Sequence, residues 1–148
     1  MQIAIGSDHA GYEWKEKVKE ILTKFGHTVT DFGTKSKDSV DYPDFGLQVA
    51  HKVANGDFDY GVNICWTGNG MAIASNKVKG IRAGLAVNPE MAHLTRLHNN
   101  ANLLVLAQKY TPEEDLEEIV RQFLETKFEG GRHLRRVEKI MGEESEKS

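Results

Sequence analysis

A single cysteine, Cys65, closes a strand-like run and opens the turn Trp66-Thr67-Gly68-Asn69-Gly70. A thiol beside the amide N–H groups of a following helix has its pKa drawn down from about 8.5 toward 7, which leaves about half of it free to act as base or nucleophile at neutral pH. Glycines at 68 and 70 let the backbone approach a ligand closely, so the loop offers N–H donors to an oxyanion or a phosphate. It is no Walker loop, because no Gly-Lys-Ser/Thr follows, and Ile73 stands where a dinucleotide fingerprint needs its third glycine. Without a second thiol, Cys65 has no disulfide, zinc-knuckle or Cys-x-x-Cys partner in the chain. Packing residue, sensor and catalyst remain open to it.

Asp8-His9 follows the first strand-like run. A short acid beside an imidazole suits acid/base work on a sugar ring, and it equally suits a helix cap next to a surface histidine. His98-Asn99 ends a helical stretch, where the dipole favours an imidazolium, so a structural reading weighs as much as a functional one. Arg132 and Arg136 are four apart and share a helical face, a spacing that clamps one phosphate between two guanidiniums or makes a solvated basic surface. His93 and His98 are five apart, off one face, and no carboxylates cluster with them in sequence. That pattern predicts no metal site.

These groups need a scaffold that brings them together. The chain has 148 residues, 39% hydrophobic and 28% charged, which fits one domain with a single core over 1–142 and an acidic, lysine-bearing tail at 143–148 that is expected to fray. Short β-rich runs alternate with segments of helical period, a rhythm that predicts an α/β fold with a five-stranded parallel sheet covered by helices on both faces. Strands are expected at 2–6, 27–32, 60–65, 82–87 and 102–106. Gly26 should end the first helix, Pro43 and Pro89 should sit in first turns, and Thr111-Pro112-Glu113-Glu114 supplies an N-cap, a proline at N1 and first-turn acids. Ligands of open parallel sheets collect outside the carboxyl ends of the strands, so Asp8-His9, the Cys65 loop and His98-Asn99-Asn100 are expected at one edge. An extra helix over 132–141 has little sheet left to cover and is expected to pack on a second subunit. The net charge of −3 and pI near 6.1 argue against nucleic-acid binding. No leader-like stretch precedes Gln2-Ile3-Ala4-Ile5 and no apolar run approaches membrane-spanning length, so no membrane partner and a cytoplasmic location are expected.

Taken in order, Ser7-Asp8-His9-Ala10-Gly11, Asp41-Tyr42-Pro43-Asp44, Ile64-Cys65 with Thr67-Gly68-x-Gly70, Ala74-x-Asn76-Lys77, Gly80-Ile81-Arg82-Ala83, His98-Asn99-Asn100-Ala101-Asn102 and Gly130-Gly131-Arg132-His133 closely resemble ribose-5-phosphate isomerase type B over roughly residues 1 to 140. The wider family includes the galactose-6-phosphate isomerase subunits. The resemblance implies a Rossmann-like three-layer α/β/α homodimer or homotetramer, without metal or other cofactor, with active sites built across the subunit interface. It implies that Cys65 moves a proton between C1 and C2 through an enediolate, that Thr67 assists, and that the amides of Gly68, Asn69 and Gly70 steady the enediolate oxygen. His98 with Asp8 would open the sugar ring. His9, Arg132 and Arg136 would hold the phosphate, with the arginines and His98 coming from the partner, while Tyr42 and Asn99 line the sugar. Three positions depart from the family pattern: Trp66 where glycine is usual, Lys109 in a stretch that commonly carries a phosphate-binding arginine, and Asn100 where aspartate is common. The function implied is an aldose–ketose isomerase of the ribose 5-phosphate/ribulose 5-phosphate type or of another pentose or hexose phosphate. A non-catalytic phosphosugar-binding or regulatory paralogue is the alternative. An unrelated flavodoxin-like signalling module would leave the arginine pair unexplained.

Overall fold

Ile3-Ala4-Ile5, Val62-Asn63-Ile64 and Leu103 to Leu106 are apolar or fully buried on both sides, as strands covered on two faces must be. The computed structural model describes residues 1–146 and places these runs at the centre of one parallel sheet. Its strands are β1 (Gln2–Ser7), β2 (Thr28–Asp31), β3 (Tyr60–Cys65), β4 (Ala83–Leu85) and β5 (Leu103–Ala107), in the order β2-β1-β3-β5-β4. One register row runs Asp31, Ile5, Val62, Leu104, Gly84, and Cys65 lies opposite Ala107.

Six α-helices accompany the sheet: α1 (Tyr12–Lys24), α2 (Tyr42–Ala54), α3 (Asn69–Asn76), α4 (Pro89–Asn99), α5 (Leu116–Glu125) and α6 (Arg132–Glu146). Val18, Leu22, Ala92, Ile119 and Phe123 from α1, α4 and α5 cover Ile3, Ile5, Val62, Ile64 and Leu104 on one face. Val49, Ala50 and Val53 of α2 and Met71 of α3 cover Ala4, Leu103 and Val105 on the other. The layers are those the alternating pattern predicts.

Local signals act largely as read. Gly26 ends α1 at φ +88°, and the His27 N–H reaches back to the Leu22 carbonyl at 3.0 Å. Pro43 and Pro89 stand in first turns, and the Asn88 side chain caps α4 by accepting from the Met91 N–H at 2.8 Å. Thr111 differs. It is buried with its hydroxyl unpartnered, because the chain first makes a short 3-10 turn at Glu113–Asp115 and enters α5 only at Leu116. Its carbonyl instead accepts from Trp14 Nε1 at 2.9 Å. α6 continues past Met141 to Glu146, since the Glu144 carboxylate accepts from the Gly80 N–H at 3.0 and 3.2 Å and the Arg82 guanidinium reaches Met141 Sδ. Residues 147 and 148 of the expected tail lie outside the described residues. Among the described residues no helix is long and apolar enough to cross a membrane.

A polar residue interrupts the apolar run of β3, with its amide nitrogen used and its Oδ1 left without a partner. Asn63, buried in mid-β3, donates from Nδ2 to the Gly46 carbonyl at 3.1 Å and to Ser75 Oγ at 2.9 Å. It thereby fixes α2 and α3 against the strand two residues before Cys65.

Candidate active site

β3 ends at Cys65, only 5% exposed, and the chain must then turn into α3 within three residues. Gly68 makes that turn at φ +82°, and a Cβ there would also strike Leu85. α3 begins at Asn69, so its first turn lies against the sulfur. Burial pushes the Cys65 thiol up; the amides of Met71, Gly68 and Gly70 oppose this, while the Asp8 carboxylate adds to it. The expected depression of the thiol pKa is therefore corrected. The helix amides are in place, and desolvation is the larger effect.

Asp8 and His9 are bolted to the same strand end. The Asp8 N–H donates to the Ile64 carbonyl at 3.3 Å, and Asp8 Oδ1 accepts from the Gly11 N–H at 2.9 Å, capping a 3-10 turn over His9–Gly11. Gly11 sits so close to Ile64 that a Cβ would meet its carbonyl oxygen at 2.5 Å. Burial raises the Asp8 pKa against the Gly11 amide and the His9 charge. His9 Nδ1 accepts from the Val40 N–H at 3.1 Å, which leaves Nε2 as the ring nitrogen available to a ligand. Tyr42 opens α2 with its ring against Gly70, where a Cβ would meet a ring carbon at 2.5 Å. Trp66 is 48% exposed, and its carbonyl accepts from the Lys109 N–H at 2.9 Å just after β5. Asp8-His9, Tyr42, the Cys65-to-Gly70 loop with half-buried Thr67 and exposed Asn69, and Lys109 thus share the C-terminal edge of the sheet.

His98, Asn99 and Asn100 do not join them. β4 leaves the sheet at its C-terminal edge and α4 returns to the start of β5, as a parallel crossover requires, so the last turn of α4 stands at the opposite edge. A five-residue strand such as β5 separates the two edges by roughly 13 Å. The expectation of one shared edge within the chain is overturned by this crossover. Asn100 serves the fold: at φ +50° it ends α4, with Oδ1 accepting from Arg96 Nη1 at 3.0 Å and its carbonyl from Arg82 Nε at 2.7 Å. Asn99 lines a cleft of about 300 Å³ with Arg82, Thr95 and Ile140. The His98 ring stacks on His133, with centres 4.3 Å apart and planes at 16°, and the exposed Arg132 and Arg136 of α6 lie near enough to His133 to act on its charge. Sequence reasoning assigns no role to His133 or to Glu129, whose carboxylate is 3.4 Å from His133 Nε2. The signal that could have found His133 is its place four residues before Val137 on the buried stripe of α6.

What such a set can do is bounded by what it holds: a sulfur able to take a proton, amides for a developing oxyanion, an acid–imidazole pair, and paired cations for an anion. This is the equipment of an α/β enzyme that moves protons on an anionic substrate. The chain belongs to the ribose/galactose isomerase family, whose model matches residues 3–140. It is 44% identical over 146 residues to a probable ribose-5-phosphate isomerase B of Mycoplasma genitalium, covering 97% of this chain and 96% of that one. It is 42% identical over 139 residues to ribose-5-phosphate isomerase B of Escherichia coli, covering 94% and 93%. The structure of ribose-5-phosphate isomerase B from Clostridium thermocellum superposes with a TM-score of 0.97 at 48% identity over 100% of both chains. The Mycoplasma genitalium enzyme with bound ribulose-5-phosphate superposes at 0.93 and 44% identity, covering 98% of this chain and 97% of that one.

Proposed function

We propose that the protein interconverts ribose 5-phosphate and ribulose 5-phosphate in the cytoplasm, as a homodimer or a homotetramer, with each site made from the Cys65 edge of one subunit and the His98 edge of another. The observation that carries this reading is the division itself. A thiol under helix amides beside Asp8 stands at one edge, and a histidine with two arginines at the other, each half lacking what the other holds.

In this reading His98 and Asp8 serve ring opening, moving the C1 hydroxyl proton off and delivering one to the ring oxygen as the bond from C1 to that oxygen breaks. The Cys65 thiolate takes the C2 proton of the open aldose, and the electron pair moves onto O1. The amides of Gly68, Asn69 and Gly70 stabilise that charge, Thr67 assists as the O2 hydroxyl proton passes to O1, and return of the proton from Cys65 to C1 as the C2–O2 double bond forms leaves the ketose. The resting thiol holds its proton, and the cationic groups of the partner's edge supply the field that favours its ionisation. His9, Lys109, Arg132 and Arg136 hold the phosphate, and Tyr42, Trp66 and Asn99 border the sugar. Lysine at 109 keeps a charge and gives up the guanidinium fork.

The test is conversion of ribose 5-phosphate to ribulose 5-phosphate by the purified chain, with Cys65→Ala beside it. Turnover by the wild type and none by the variant is the expected result. Saturable binding of phosphosugars without turnover would mark a binding paralogue instead.

A further inference from the structure

His98 is held by neighbours. The parallel His133 ring lies 4.3 Å from it, and Glu129 lies 3.4 Å from His133 Nε2. Backbone contacts fix two of them: the Glu129 N–H donates to the Leu97 carbonyl at 3.0 Å, holding its main chain against the last turn of α4, and the His133 N–H donates to the Gly130 carbonyl at 3.0 Å. The turn between them runs through Gly130 at φ +73° and Gly131 at φ +55°. His133 is 9% exposed on a helix whose next turn is charged, and burial, then the adjacent His98, push its pKa down while Glu129 opposes.

Two imidazoles and a carboxylate with ligand atoms within 4.8 Å of one another invite comparison with a metal site. The stack argues otherwise. An imidazole nitrogen binds a metal along the plane of its own ring, so two rings at 16° aim their lone pairs side by side and do not converge on one point. A flat ring anchored by a carboxylate is suited to hold the plane of its neighbour.

We propose that Glu129 and His133 are positioning residues for ring opening: Glu129 fixes the His133 imidazole, and that ring fixes the orientation of His98 toward the sugar ring bound by the partner. This rests on His98 being the ring-opening group, and it assigns the pair to one step only. Ribose 5-phosphate arrives as a closed ring. Ribulose 5-phosphate has its C5 hydroxyl esterified, cannot close to a furanose, and meets Cys65 already open.

The experiment compares steady-state conversion of ribose 5-phosphate with exchange of solvent deuterium into C1 of ribulose 5-phosphate, in the wild-type chain and in His133→Ala, His133→Phe and Glu129→Gln. His133→Ala is expected to lower kcat on ribose 5-phosphate about tenfold or more, with KM and the exchange rate each within about twofold of wild type. His133→Phe, which restores a flat ring, recovers most of that loss, and Glu129→Gln falls between. Parallel loss of turnover and exchange, or no loss of either, overturns the proposal. Failure of the unmodified chain to convert ribose 5-phosphate would instead remove the functional reading beneath it.

Discussion

The Cys65 sulfur lies in opposing fields, with burial and Asp8 favouring the thiol and three amides favouring the thiolate. Because burial prevails in the free chain, kcat/KM for ribose 5-phosphate is expected to climb between about pH 7 and pH 9 as thiolate forms. A profile flat across that range would point to a base other than Cys65. Cys65→Ala is expected to lower kcat by about three orders of magnitude while the far-ultraviolet circular dichroism stays unchanged, since a buried alanine fits the strand end without a new polar group. Trp66 offers a second readout at this scale. Of the two tryptophans, Trp14 is held by the Thr111 carbonyl and only Trp66 is largely exposed, at the mouth of the thiol site. In a Trp14→Phe chain, substrate binding is expected to shield the remaining fluorophore from acrylamide by about twofold or more. Unchanged quenching at saturating ribose 5-phosphate would place Trp66 outside the pocket.

Ion pairing between elements is where burial and charge meet most sharply. Lys15 of α1 is fully buried and pairs with Asp31 at the end of β2 at 2.6 Å, with Lys19 at 2.8 Å from the same oxygen. Burial raises the Asp31 pKa, yet the hydrogen bonds from Lys15, Lys19 and the Gly33 amide outweigh it and hold the carboxyl at about 2, below its ordinary 3.8. A depressed carboxyl contributes stability that is present above the unfolded value and lost as pH falls toward the folded one. Asp31→Asn is therefore expected to lose on the order of 2 kcal/mol in urea unfolding at pH 7, with the gap to wild type closing between about pH 4 and pH 2. A gap that does not change over that interval would mean that Asp31 carries no such charge. Burial of Lys15 is not legible in Glu13-Trp14-Lys15-Glu16-Lys17, because it depends on a strand end sixteen residues away. Strands, helices and the caps at Gly26 and Asn88 are readable because each is set by local pattern. The thiol pKa and the Thr111 hydroxyl are not, since both depend on what covers them. The edge reached by His98 is a matter of crossover geometry: a helix leaving β4 ends where β5 starts, whatever chemistry its last turn carries.

At the scale of the molecule, the proposed division of the site between two edges calls for a partner subunit. Cys65 and His98 lie at opposite edges of one sheet, so no rotation of side chains within a chain unites them. Large apolar side chains remain exposed on α3 and α6, at Ile73, Leu134 and Ile140, where a second copy can cover them. A twofold axis that seats the His98 edge of one copy over the Cys65 edge of the other makes two identical sites, each drawing on both chains. Cys65→Ala and His98→Ala should then be inactive separately and complementary together. Unfolding and refolding an equimolar mixture gives heterodimers in which one site carries both substitutions and the other carries neither. Half of the dimers are mixed and each has one intact site, so recovery of about a quarter of wild-type activity is expected. Native mass spectrometry of the same sample reports whether mixed dimers formed. Mixed dimers without recovered turnover would mean that Cys65 and His98 do not act across the interface, and the division of the site between subunits would fall.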